Sequence, residues 1–202
     1  MSDVVHSGDF GALEPGFGDP VHDAQASFRA VLDAMANPGR IVTMPVALPC
    51  SLPLGAAAAA IALSLCDGDT PVWLDTASAA ASSYLIFHCG APLAAMPGEA
   101  SFAFLTDPAA MPPLDSFALG TDEYPERSAT LVIEVPRLAD AGGLRLRGPG
   151  IKGEARLEIA GLPARFWVER AALAELFPRG LDILFVCGDA LVAVPRSTQI
   201  VL

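Results

Sequence analysis

Phe28, Val31, Leu32 and Met35 recur at the i, i+3, i+4, i+7 spacing of a single helical face. Asp19-Pro20 precedes them as an N-cap followed by proline at the first helical position, so a helix is predicted from residue 20. It ends abruptly. Pro38 disfavours helical geometry at Asn37, and Gly39 permits the left-handed turn that closes a helix. Residues 40–44 then read as extended. An Ala-rich run over 54–66 predicts a second helix whose small side chains let another backbone come close. Asp67-Gly68-Asp69-Thr70-Pro71 is a turn, Val72-Trp73-Leu74 a short buried strand, 78–88 a helix and 101–105 extended.

The C-terminal half alternates more sharply. Residues 129–135 (ATLVIEV) form the strongest candidate for a central strand. Residues 144–147 and 156–159 alternate at period two on either side of GPGIKG and predict a paired hairpin. Residues 163–177 predict an amphipathic helix presenting Phe166, Trp167, Leu173, Leu176 and Phe177. Residues 182–187 (DILFVC) read as another buried strand, paired with 191–194 through the Gly188-Asp189 turn. Between 106 and 128, proline, glycine and acidic residues are dense enough to suggest an ordered, functional loop. Helices interleaved with both alternating and wholly apolar strands predict an α/β protein, a three-layer α/β/α sandwich around a mixed sheet. No repeat or linker divides the chain. Residues 1–18, rich in glycine and acidic residues, are expected to be a flexible N-terminal arm, and 19–202 a single domain.

Composition narrows the setting. With 202 residues and 52% hydrophobic content, the chain can bury a large core and is expected to hide further apolar surface between subunits. A net charge of -11 argues against nucleic acid and against anionic membrane as partners. Residues 41–66 carry no charge and approach the length of a bilayer span, but Pro45, Pro49 and Pro53 interrupt them. Asp3, Asp9 and Glu14, without a basic stretch, do not make a signal peptide, and a cytoplasmic protein is expected. Cys50, Cys66, Cys89 and Cys187 are scattered and read as free thiols, and His6, His22 and His88 have no ligand spacing. No metal or cofactor is expected.

The chain lacks the phosphate loop, the dinucleotide fingerprint, the zincin motif and the nucleophile elbow. Lys152 is its one lysine, so a Schiff-base mechanism would rest on it alone, in a turn where an exposed lysine is ordinary. Gly148-Pro149-Gly150 is either a hairpin connection, the commoner reason for such a sequence, or a backbone cradle for an anion. Asp67 and Asp69 fit a turn better than a metal site. Thr121 to Ser128 (TDEYPERS) is either a solvated loop or the rim of a pocket or subunit contact. Arg196, in PRST at the end of an apolar strand, either caps that strand or recognises a phosphate or phosphonate beside hydroxyl side chains. Gly148, Gly150, Arg196 and Thr198 are therefore the candidate ligand-binding residues, and no catalytic residue is assigned.

FRAVLDAMANPGRIV, TDEYPERSATLVIEV, LRLRGPGIKG and GLDILFVCGDALVAVPRST, in that order from Phe28 to Thr198, resemble the PhnH family of phosphonate-metabolism proteins. Two positions depart from its pattern: Asn37, where a basic residue is usual, and Ser197, where threonine is. The resemblance implies a subunit of the carbon–phosphorus lyase core complex, a homodimer in isolation, acting with PhnG, PhnI and PhnJ. That system transfers an alkylphosphonate to the ribose of ATP with loss of adenine. The implied fold is similar to a reduced pyridoxal-phosphate-dependent transferase without the cofactor. The implied role is accessory or assembly; the alternative is a subunit that itself holds ATP or a phosphonate at the transferase site.

Overall fold

The computed structural model of the chain describes residues 14–49 and 54–201, and Cys50 and Pro53 lie outside them. Helix α1 covers Pro20–Ala36; the Asp19 carboxylate accepts the His22 amide at its start, and Asn37 caps its end. The Gly39 amide then donates to the Ala193 carbonyl, turning the chain directly into β1 (Val42–Thr43). Helix α2 (Ala56–Leu65), β2 (Val72–Leu74), α3 (Ser82–Cys89), β3 (Phe102–Leu105) and β4 (Thr130–Glu134) follow. Then come β5 (Leu138–Arg147), β6 (Ala155–Ile159), α4 (Phe166–Ala174), β7 (Asp182–Cys187), β8 (Ala190–Val194) and β9 (Gln199–Val201).

Six strands make one mixed sheet in the order β1-β8-β7-β4-β3-β2. Strands β2, β3, β4 and β7 run parallel, with β8 antiparallel to β7 and β1 antiparallel to β8. The predicted central strand is central: β4 is flanked by β3 and β7, and Leu131, Val132 and Ile133 are fully buried. Because successive side chains point to opposite faces, Val132, Leu184 and Phe104 join a core under α1, α2 and α3. Leu131, Ile133 and Phe185 join a second core on the other face, with Phe166 and Leu173 of α4.

That second face is not covered by helix alone. Strands β6, β5 and β9 form a separate three-stranded antiparallel sheet whose Leu146 and Leu157 are buried in the same core. Strand β5 begins six residues before the alternation suggested, across a register shift between Ala139 and Leu144. Strand β9 was not foreseen; it is a three-residue edge strand held by β5 alone, too short to show a period.

Two predicted faces are turned. On α1 the buried residues are Ser27, Ala30, Val31 and Ala34, while Phe28 and Leu32 are 49% and 55% exposed. The helix lies against α2, in which residues 57–62 are buried on every side, and small side chains allow that approach where phenylalanine would not. On α4, Phe166 and Leu173 face inward but Phe177 lies beyond the helix end and is exposed. Of the predicted arm, residues 1–13 lie outside the described part. Residues 14–18 lie along α3: the Tyr84 hydroxyl donates to the Pro15 carbonyl at 3.4 Å, His88 Nε2 is 3.1 Å from the Glu14 carbonyl, and Phe17 packs on the core.

Candidate functional site

The glycine turn after β5 and the PRST segment after β8 meet. Gly148 stands so close to the segment before β9 that an added Cβ would lie 3.0 Å from the Ser197 carbonyl oxygen. Together they border a hollow of about 300 Å³ lined by Pro149, Ala174, Phe177, Arg196, Ser197, Thr198 and Gln199. Gly150 faces the other way. Its φ is +80°, and an added Cβ would run into the Ala36 carbonyl and Pro38, so the turn interlocks with the Asn37-Pro38-Gly39 hinge. Gly148, Arg196 and Thr198 are thus brought together, and Gly150 is not.

Arg196 lies at the rim of the hollow, but its guanidinium is turned to the fold. Nε donates to both Asp182 carboxylate oxygens at 3.3 and 3.1 Å, and Nη2 reaches Oδ2 at 2.5 Å. Nη1 donates to the Pro125 carbonyl and Nη2 to the Ser128 hydroxyl. The backbone amide of Arg196 also donates to Asp182, at 2.8 Å. This geometry supports the strand-capping alternative of the two the sequence left open. It explains the TDEYPERS loop as well, whose Pro125 and Ser128 are fastened to β7 and β8 through this one side chain. Within the loop, the Arg127 guanidinium stacks over Tyr124 at 4.2 Å, and Asp122 pairs with Arg179 at 3.1 Å.

Beneath the hollow lies a residue that sequence reasoning missed. Arg170, on the inner face of α4 with Phe166 and Leu173, is only 1% exposed. Its Nη2 donates to the Pro195 and Thr198 carbonyls at 2.8 and 3.3 Å, and it pairs with no carboxylate among the described residues. Burial pulls its pKa below the ordinary arginine range; nearby Asp182 opposes that, and Arg196 adds to it. The Thr198 hydroxyl is buried without a hydrogen-bond partner. The sequence signal was a charged residue at a core position of the helical period, i+4 from Phe166 and i−3 from Leu173.

Two further carboxylates, at the C-terminal ends of parallel strands where open α/β sheets tend to place their sites, were also missed. Asp75, just after β2, accepts the Ser78, Thr106 and Asp107 amides at 2.7, 2.8 and 2.9 Å and so ties β2 to the end of β3. Glu134, the last residue of β4, accepts the Gly55 amide at 2.5 Å, capping α2, which has no side-chain cap of its own. Desolvation raises its pKa, the Gly55 hydrogen bond lowers it, and Asp75 raises it further. Each follows an apolar strand directly, in VWLD and LVIE, and that adjacency was the available signal.

Asp67 accepts the Asp69 amide and the Thr70 hydroxyl at 3.0 and 2.7 Å, the turn reading. No group of three or more His, Cys, Asp or Glu among the described residues could hold a metal ion. Lys152 is exposed beside the hinge. Cys66 is buried and Cys89 half-buried; desolvation pushes both thiols up, Cys89 to about 11. Among the described residues no helix is long and apolar enough to cross a membrane.

The family model described as bacterial phosphonate metabolism protein (PhnH) matches residues 15–201. The chain is 44% identical over 186 residues to the alpha-D-ribose 1-methylphosphonate 5-triphosphate synthase subunit PhnH of Rhizobium meliloti (strain 1021), covering 91% of this chain and 93% of that one. It is 39% identical over 82 residues to the protein HtxG of Stutzerimonas stutzeri, 41% of this chain and 42% of that one. The matched range takes in the hinge after α1, the glycine turn after β5 and the strand-end arginine braced on Asp182. On this evidence the chain belongs to the PhnH family of bacterial phosphonate metabolism proteins.

Proposed function

We propose that this chain is an accessory subunit of the synthase that makes ribose 1-methylphosphonate 5-triphosphate, working in the carbon–phosphorus lyase pathway alongside PhnG, PhnI and PhnJ. The name of the Rhizobium relative supports the pathway and the subunit role. The observation that carries the accessory role is the state of the polar groups around the hollow. Arg196 braces a loop, Arg170 and the Thr198 hydroxyl are buried, and the one partly exposed hydroxyl lining the hollow, Ser197, has no histidine, carboxylate or lysine among the lining residues to activate it. On this reading the protein is cytoplasmic and a homodimer in isolation, and its fold is a reduced relative of the pyridoxal-phosphate-dependent transferases. Co-purification with tagged PhnG, PhnI and PhnJ tests it. A stoichiometric complex is expected, and turnover of methylphosphonate with ATP by this polypeptide alone would overturn it.

A second reading has its own support. Asp182 pairs with Arg196, and the buried Arg170 has no paired carboxylate among the described residues, which leaves a positive charge beneath the hollow. An ATP phosphate or a phosphonate resting against Gly148 and Thr198 would balance it. Titration calorimetry with ATP and with methylphosphonate decides; absence of heat from the folded protein removes this reading.

A further inference from the structure

The cations of this acidic chain are concentrated. Five of its twelve basic residues, Arg137, Arg145, Arg147, Lys152 and Arg156, lie between 137 and 159, against three of its twenty-three acidic ones. In the small sheet Leu144, Leu146 and Leu157 point into the core, so Arg145, Arg147 and Arg156 share the outer face. Arg145 and Arg156 are directly opposite each other in register. Like charges so placed are unfavourable. Their relief is thin: Glu154 serves both Arg145 and Arg147, at 3.9 and 3.1 Å, and Arg156 is exposed with no ion pair among the described residues. Beside β6 a groove of about 330 Å³ continues the face, lined by Arg40, Lys152 and Arg156 together with Asn37, Asp140 and Glu154.

We infer that this outer sheet face is a docking surface for an acidic patch on another protein chain of the assembly, an inference that rests on the subunit role proposed above. Charge complementarity identifies the occupant. The cations spread over an open sheet face with side chains roughly half exposed, 45% for Arg145 and 57% for Arg147; those two already meet on one Glu154 oxygen, while Arg156 and Lys152 stand exposed along β6 and its groove, a layout that suits a broad carboxylate-bearing surface. A carboxylate-bearing surface laid across them would separate the Arg145–Arg156 repulsion and pair Arg156.

The test compares the native protein with R145E/R156E and R145Q/R156Q, each folded by circular dichroism, in binding to co-expressed PhnG, PhnI and PhnJ by interferometry. Native affinity is expected to fall about tenfold between low and physiological salt, as electrostatic docking does. At low salt the charge reversal should weaken binding about thirtyfold or more and the neutral pair less, in the order of lost charge. Equal binding by all three forms overturns this inference and leaves the subunit role standing. No binding by the native protein overturns the subunit role itself, and this inference with it. A sedimentation shift from dimer to monomer in R145E/R156E, with subunit binding retained, assigns the face to a second copy and overturns the proposed occupant.

Discussion

Arg196 and Glu134 show how one side chain can fix a segment distant in sequence. Arg196 holds Asp182, Pro125 and Ser128 at once with only 17% of its side chain exposed, so its removal strands a half-buried carboxylate and frees the 124–128 loop. Arg196→Ala should cost about 3 kcal/mol in chemical denaturation, the scale of breaking a buried ion pair, and should sharply increase proteolysis at Tyr124 to Arg127. Glu134 works in the opposite sense. Its folded-state pKa lies above the unfolded value, so the folded protein binds the proton more readily between the two. Stability therefore falls as pH rises through that window. Glu134→Gln keeps an acceptor for the Gly55 amide without the buried charge. It should melt higher than the native protein at pH 7, and the two should converge near pH 4; a constant difference across pH would contradict the assignment.

At the scale of elements, the hairpin of β5 and β6 carries opposite demands on its two faces. The inner face is a plain apolar alternation, and Leu146 and Leu157 are buried as that alternation requires. The outer face holds arginines against each other, which stability alone does not favour. Replacing Arg156 with threonine, a good strand former, should raise stability by roughly 0.5 kcal/mol, read as a shift in thermal midpoint at low salt. Helix α1 teaches a different point. Its period was legible, but which stripe is buried depended on α2, whose small residues accept Ala30 and Ala34 and leave Phe28 and Leu32 outside.

Across the whole molecule, the closest interlock joins the hinge after α1 to the turn after β5, more than a hundred residues apart. Gly150 sits where any side chain would meet the Ala36 carbonyl, with a backbone conformation that side chains rarely adopt. Gly150→Ala should therefore cost roughly 2 kcal/mol or more, and limited proteolysis should open both segments together, because each is the other's support. Opening of one without the other would show that the contact does not couple them.

What the sequence by itself determined is whatever depends on near neighbours. Asp19, Pro38 and Gly39 set the ends of α1, ATLVIEV stood out as the strongest candidate for a central strand, and Asp67 with Thr70 closed a turn. These follow from backbone geometry and hydrogen bonds spanning a few residues. The tertiary structure decided that Gly148 lies against the Ser197–Thr198 backbone, that Arg196 and Thr198 line one hollow, why Arg196 faces Asp182 and not solvent, and that Arg170 lies beneath them. It also added β9, a strand that only β5 makes possible. The physical reason is the same each time: a guanidinium or a short strand is satisfied by groups that the chain brings near only when the sheet closes.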